Sequence, residues 1–454
     1  FYRKVFFYCE VFCNFIQIAI LNYKTIAMKR ITTIALACLC ITAAHAQKIK
    51  ELSEKEKQQY SKQDSVTVIT TVGTLKLPPP YATESVTFRH VMADWPEGQL
   101  PKVPAGFNVE RLAADLKNPR TSYIAANGDL FVTESNTFNS ADRITILRDA
   151  DKNGSYEVRE VFADNLKLPF GALIVKNKFY VALSDGLYVY PYKAGDLKLQ
   201  EKGRKIVELP SGGYNNHWTR NIITNKEQTK IYISVGSASN VGEYGLEKEV
   251  RRAAILEVNL DGSGEIIYGS GLRNPVGMDW NPVDGSLWTA VNERDNLGDG
   301  LVPDYVTQVQ KSAFYGWPYS YFGNIEDPRL KGMRPDLVKQ ALVPDVAVGN
   351  HTASLGLTFY VGSKFPEKYR NGIFVAQHGS WNKSSFSGYK VVFIPFKDGK
   401  PTGPPEDFMT GFIADNEKAK VYGRPSAVKN LPDGSLLVND DSGNVLWRIS
   451  YTGN

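Results

Sequence analysis

Side chains able to do chemistry concentrate in five short segments of this 454-residue chain: NNHWTRNI (215–222), GLRNPVGMDWNP (271–282), AVNERDNLGD (290–299), HGSWNKSSFSGYKVVFIPF (378–396) and GRPSAV (423–428). Together they supply an imidazole at His217, guanidiniums at Arg273, Arg294 and Arg424, an ammonium at Lys383 and a carboxylate at Glu293. Imidazole exchanges protons near neutral pH. Arginine holds a permanent charge in a planar fork that matches carboxylates. Each group also has a purely structural reading: a lone histidine packed in a core, an Asn-Pro pair at Asn274 setting a strand start, a surface ion pair between Glu293 and Arg294 or Arg273. A second chemistry is offered by DADKNGSYEVRE, where Asp149, Asp151, Asn153, Ser155 and Glu160 stand at the spacing of an EF-hand calcium loop. Its flanks, ITILRD and EVREVF, read as strands and not helices, so an Asx-rich hairpin turn competes with a structural calcium site. The chain lacks a P-loop in strand-to-helix context, a G-x-S-x-G elbow and an H-E-x-x-H pair, which removes the usual nucleotide and hydrolase readings.

These segments need a frame, and the frame is a degenerate repeat. Six copies follow one plan, a polar start, a strand, a turn and a second strand ending in polar residues: 118–135, 168–186, 217–237, 273–293, 354–379 and 423–443. Short alternating runs rich in Val, Ile, Tyr and Phe, broken by Gly, Asn, Asp and Pro, make the chain all-β. Repeats spaced roughly 50 to 80 residues apart suit four-stranded blades, and the expected architecture is a six-bladed β-propeller. An antiparallel hairpin returns its second strand beside the start of its first, so repeat starts and repeat ends share one rim. That rim collects Glu134, Asp185, His217, Ser237, Arg273, Asn274, Asn292, Glu293, Arg294, His378, Trp381, Asn382, Lys383, Arg424 and Asp440, whereas the opposite turns (NGD, NKEQ, PVDG, LPDG) are ordinary hairpin chemistry.

Four stretches are expected along the chain. Residues 1–27 precede a complete export signal and lack an initiator Met, which reads as upstream sequence translated as protein. Residues 28–46 have a basic start, an apolar stretch near Ile34–Ala43 and the A-x-A site Ala44-His45-Ala46, which implies a periplasmic or secreted protein cleaved after Ala46. The apolar stretch is about half of what a membrane span needs. Residues 47–100 are polar, then Pro-interrupted, a tether or an arm lying on the main domain; residues 101–454 form that domain. All four cysteines precede the cleavage site, so the mature chain has no disulfide, thiolate metal site or haem attachment. The first 46 residues hold five of the 53 basic residues and one of the 48 acids, leaving a near-neutral remainder that offers nothing to nucleic acid.

The five segments, with FYGWPYSYFG (314–323) in its place in the order, resemble the glucose/sorbosone dehydrogenase family over about 350 residues. The resemblance implies oxidation of a sugar hydroxyl or hydrated aldehyde, with hydride passing to pyrroloquinoline quinone (PQQ) and electrons leaving to an external acceptor such as a soluble cytochrome. It implies His217 as the base and Arg273 as the cation leaning on the quinone oxygen, with Asn274, Lys383 and Arg424 binding the cofactor. The backbone carbonyls of Glu293 and Arg294, with the Glu293 carboxylate, would hold a cofactor calcium. Two positions depart from the glucose branch: Tyr422 stands where that branch has an arginine, and Ser237 where it has the acid that orients the base, leaving water, Asn216 or Asp185 to do so. The sorbosone-like branch is the nearer match. Two other functions compete: a calcium-dependent lactonase in which Glu134 with an Asn and an Asp holds the metal, and a propeller that binds sugar or protein without catalysis.

Overall fold

The computed structural model describes residues 49–453, so the segments expected at 1–27 and 28–46 lie outside the described residues. The chain is nearly all β. Its repeats fold as six sheets in chain order. The first sheet is Pro119–Ile124, Leu130–Glu134, Arg143–Arg148 and Val158–Ala163; the second is Ala172–Val175, Lys178–Leu183, Gly186–Pro191 and Arg204–Glu208. The third is Ile222–Thr224, Lys230–Val235, Ala254–Asn259 and Ile266–Ser270, with Ala313–Phe314 added in parallel at its outer edge. The fourth comprises Pro275–Trp280, Leu287–Val291, Pro303–Val309 and Val346–Asn350, and the fifth Ser354–Phe359, Ile373–Gln377, Lys390–Ile394 and Glu406–Met409. The sixth takes Pro425–Asn430, Leu436–Asp440 and Val445–Tyr451 from the end of the chain and Phe107–Ala113 from near its beginning. The first strands contact one another in sequence, and that of the sixth sheet returns to that of the first.

Glycine permits this close approach. A side chain at Gly277 would meet the backbone of Leu355 and Leu357 at 2.4–2.6 Å, and one at Gly356 would meet Ala427 Cα at 2.5 Å. Both first strands also carry a register shift beside that glycine, which bends the chain where it leaves the rim. Between sheets the packing is aromatic. Phe131, Phe162 and Phe179 are fully buried and meet at centroid distances of 4.8–5.2 Å between the first and second sheets. Such side chains are each worth about 1.5–3 kcal/mol on burial.

The described part of the stretch before residue 101 has regular structure and lies against the sheets. Ser53 and Glu56 form a capping box on the helix Glu54–Ser61, and Val66–Thr70 pairs with Gly73–Leu77 in a hairpin. The chain then crosses the polar rim. Tyr81 N–H donates to Leu297 O, Thr83 Oγ1 accepts from Asp299 N–H, Phe88 N–H donates to Trp381 O, and Val91–Met92 pairs with Lys420–Val421. Trp95 finally stacks on Tyr422, centroids 4.6 Å apart.

Candidate active site

Starts and ends of repeats do meet on one rim: Pro119 is opposite Glu134, Pro275 opposite Val291, Ser354 opposite Gln377 and Pro425 opposite Asp440. Two polar clusters sit there. The first joins the third and fourth sheets. His217 is buried, with Nδ1 2.8 Å from Ser237 Oγ and 3.1 Å from Ser237 O, and Nε2 3.3 Å from Asn216 Nδ2. Ser237 spends its own proton on Ser239 O at 2.6 Å, so its Oγ accepts and Nδ1 carries the hydrogen. Nε2 is then the basic nitrogen. Burial and the nearby Arg273 charge push the imidazole down to about 3, so it is neutral at ordinary pH. Ser237 and Asn216 therefore orient the imidazole; Asp185 does not, because it accepts from Lys205 and Tyr188.

Arg273 is fully buried and its donors are all spoken for. Nε donates to Asn240 O, one terminal nitrogen to the Asn292 and Glu293 carbonyls, and the other to Asn240 Oδ1 at 2.8 Å and Asp295 at 3.0 Å. Asn274 beside it keeps a buried side-chain oxygen without a partner. Glu293 is buried; desolvation pushes its carboxyl up to about 7 against the pull of Arg273, and it accepts from Arg294 N–H. Arg294 turns away into an ion pair with Asp327. The carbonyls expected to hold calcium are engaged within the protein, that of Glu293 by Arg273 and that of Arg294 by Val302 N–H.

The second cluster joins the first, fifth and sixth sheets to the arm. Arg424 donates to the carbonyls of His378 and Gly379 and lies 5.7 Å from the Tyr389 ring. His378 Nε2 is 2.6 Å from Asp441, which also binds Arg120 at 2.7 Å. Burial and Arg424 hold both His378 and His90 low, at about 4 and about 3. Lys383 donates to Asp299 O, and Asn382 accepts from Asn296 N–H, which ties the fourth and fifth rim loops together.

Several members escaped the sequence reading. Arg120, Asp295 and Asp441 occupy repeat starts and ends like the residues singled out, so the same positional signal reaches them; His90 comes from the arm and carries none. The EF-hand reading is corrected at one ligand. Asp149 and Asp151 gather with Glu157, whereas Glu160 lies on the strand Val158–Ala163 opposite Ile146. The loop ends where the strand Val158–Ala163 begins, so the chain is already extended at the last EF-hand position. Asn153 and Ser155 supply turn bonds: Asn153 N–H donates to Asp149, and Ser155 N–H to Asn153. Glu134 is also not free for a metal, since Arg143, Thr145 and Lys117 N–H fill both its oxygens.

The chain matches the sequence profile of the TrAA12-like family over residues 101–311 and 338–452, and it belongs to that family. It is 31% identical over 364 residues to an uncharacterized protein of Borreliella burgdorferi, covering 77% of this chain and 90% of that protein. It is 24% identical over 353 residues to the PQQ-dependent pyranose dehydrogenase of Coprinopsis cinerea, covering 66% of this chain and 46% of that enzyme. The holo PQQ domain of pyranose dehydrogenase from the same organism shares its fold, with a TM-score of 0.65 at 20% identity over 79% of this chain and 98% of the domain. So does the calcium structure of a Trichoderma reesei family AA12 protein, at 0.65 and 17% over 77% and 97%.

Proposed function

We propose that this protein is a periplasmic or secreted quinoprotein that oxidises a sugar hydroxyl or hydrated aldehyde, aldose-like or sorbosone-like, on a six-bladed propeller. Six sheets and their cyclic run of first-strand contacts support the propeller. Among the described residues no helix is long and apolar enough to cross a membrane. The observation that carries the chemistry is a buried, neutral His217 with its basic nitrogen fixed by Ser237, packed beside the buried Arg273 charge.

The residues fit PQQ. Asn274 has an unpartnered buried oxygen, and Arg424, Lys383 and Arg120 are cations on one rim, suited to a ligand bearing several carboxylates. When bound, the quinone supplies the hydride acceptor. His217 Nε2 takes the hydroxyl proton, with Asn216 displaced from it by substrate. Arg273 holds positive charge fixed by acceptors on four residues, Asn240, Asn292, Glu293 and Asp295, so no reorganisation is needed as negative charge develops. Asp295 couples Arg273 to His351, whose burial is outweighed by that carboxylate, so the imidazole is held above its ordinary value. The carbonyl pair at Glu293 and Arg294 fits calcium less well, because an ion there would share the Glu293 carbonyl with a guanidinium, and Arg273 itself supplies the local positive charge. Electrons leave to an external acceptor, a soluble cytochrome by this reading. The competing lactonase reading loses its metal ligand at Glu134.

The test is to mix protein beginning at Gln47 with PQQ and calcium, record the absorbance of bound quinone, and follow dye reduction with aldoses and sorbosone. Sugar-dependent reduction is expected. Failure of the quinone to bind overturns the proposal.

A further inference from the structure

A cavity of about 740 Å³ opens beside the first cluster, between the arm helix and the rim loops of the third and fourth sheets, and the cluster itself leaves it unused. Its wall is polar and carries charges of both signs, with Thr83, Ser85 and Asn240 beside Lys57, Glu243 and Arg294. Asn240 links it to the reaction site, since the same residue accepts twice from Arg273 and exchanges hydrogen bonds with the Asp295 backbone. At its edge stand two exposed aromatics. Tyr214, three residues before His217, is 50% exposed; Tyr244, on the loop that follows Ser237 and itself lining the cavity, is 55% exposed; their ring centroids lie 4.5 Å apart.

Hydrogen bonds tie both loops down: in the Tyr214 loop Asn216 N–H donates to Ala238 O and Asn215 Oδ1 accepts from Arg252. Glu249 accepts from the N–H groups of Ala238 and Ser239, and Glu243 from those of Asn240 and Val241. Exposed tyrosines held on a fixed loop present a rigid, half-apolar surface at little entropic cost on binding. A pyranose ring is its complement, with an apolar C–H face to lie on the ring and hydroxyls to reach amide and carboxylate partners. Cavities of about 300–1,000 Å³ hold ligands well above the size of one hexose.

We propose that the Tyr214–Tyr244 pair and the adjoining cavity form a subsite for further units of a neutral saccharide chain whose reacting unit lies at His217. The inference rests on the sugar-oxidising reading and narrows its substrate class to oligosaccharides. The experiment is calorimetric titration of quinone-free protein beginning at Gln47 with maltotetraose, cellotetraose and xylotetraose and with their monosaccharides, repeated on the Tyr214→Ala, Tyr244→Ala double variant. At least one tetraose should bind tenfold or more tightly than its monosaccharide, and the double variant should shrink that advantage to threefold or less. Equal affinity for chain and monomer, no saccharide binding at millimolar concentration, or an advantage that survives in the variant overturns the subsite. Quinone titration of the same wild-type protein reports separately on the oxidoreductase reading, so one can fail without the other.

Discussion

Gly236 sits behind the proposed base, and replacing it with alanine isolates the geometry of the site from its chemistry. The added methyl would stand 2.5 Å from both His217 Cβ and Asn274 Oδ1, about 0.9 Å inside the 3.4 Å of ordinary contact. Neither neighbour moves easily. His217 is tied to Ser237 and lies in a buried setting, and Asn274 is fixed by its place at the start of a strand. The overpacking should cost about 1–3 kcal/mol of stability. The larger effect is catalytic: displacing a reacting group by roughly 1 Å typically costs about 10²-fold in rate. Gly236→Ala should therefore fold, show a modest fall in Tm by calorimetry, and lose about 10²-fold in kcat for dye-coupled sugar oxidation, with weaker quinone binding through Asn274. A variant that keeps kcat within threefold of the parent while folding normally would refute the placement of His217 at the reacting atoms.

His217→Ala should lower kcat/KM about 10²–10⁴-fold, as loss of a general base does. Ser237→Ala should cost only about 2–10-fold, because Nδ1–H keeps the Ser237 carbonyl; a loss as large as that of His217→Ala would mean that the carbonyl alone does not orient the imidazole. His217 and His378 have folded values near 3 and 4, below the ordinary 6.5, so unfolding takes up protons; their stabilisation is complete above about pH 6.5 and is lost as pH falls toward those values. Glu293, raised to about 7, works the opposite way between pH 4.5 and 7 and offsets part of the slope. Denaturant midpoints should fall from pH 7 to pH 5, and His217→Gln should flatten that trend; a rise would contradict the buried neutral imidazoles. Trp95→Ala removes a stack on Tyr422 and edge contacts to Phe412 and Trp447, which should cost about 2 kcal/mol and speed proteolysis within residues 83–95, as read by limited digestion. Chelation of calcium should weaken quinone binding less than Arg273→Leu does; the reverse order in an absorbance titration would return the local charge to an ion.

Local alternation and turn residues carried the hairpins of all six repeats, and hairpin geometry alone placed starts and ends on one rim. The same physics explains what stayed hidden. Phe107–Ala113 precedes the first repeat and its partner Val445–Tyr451 lies at the other end of the chain, so nothing local announces the pairing. Low periodicity in the arm reflects scattered anchors instead of one continuous face: Val68 and Leu77 pack into the core of the third and fourth sheets, Trp95 stacks on Tyr422, and backbone hydrogen bonds that any sequence can make hold the stretch between. At the site, residue types were legible and their partners were not. Arg273 reads in the sequence as a cofactor cation or as the ion-pair partner of Glu293; the fold instead sets Asn240, Asn292, the Glu293 carbonyl and Asp295 around it. Glu160 against Glu157 turned on how soon a loop becomes a strand, a matter of one or two residues that spacing rules do not resolve.

The two departures from the glucose branch acquire physical sense from these contacts. At Ser237 a hydroxyl and a carbonyl fix the tautomer without the negative charge an acid would add; on the reading proposed above, burial beside Arg273 makes His217 a weak base that stays unprotonated at mildly acidic pH. At Tyr422 a potential carboxylate-binding cation has been exchanged for an aromatic platform under Trp95, and the arm that this stack anchors carries His90 toward Arg424 and His378. The rim thus gives up one cation at the sixth sheet and gains a cover. Arg120, reaching from the first sheet to Asp441, adds positive charge to the same cluster. A ligand with several carboxylates would then be gripped from the first, fifth and sixth sheets together, and the arm would set how such a ligand enters.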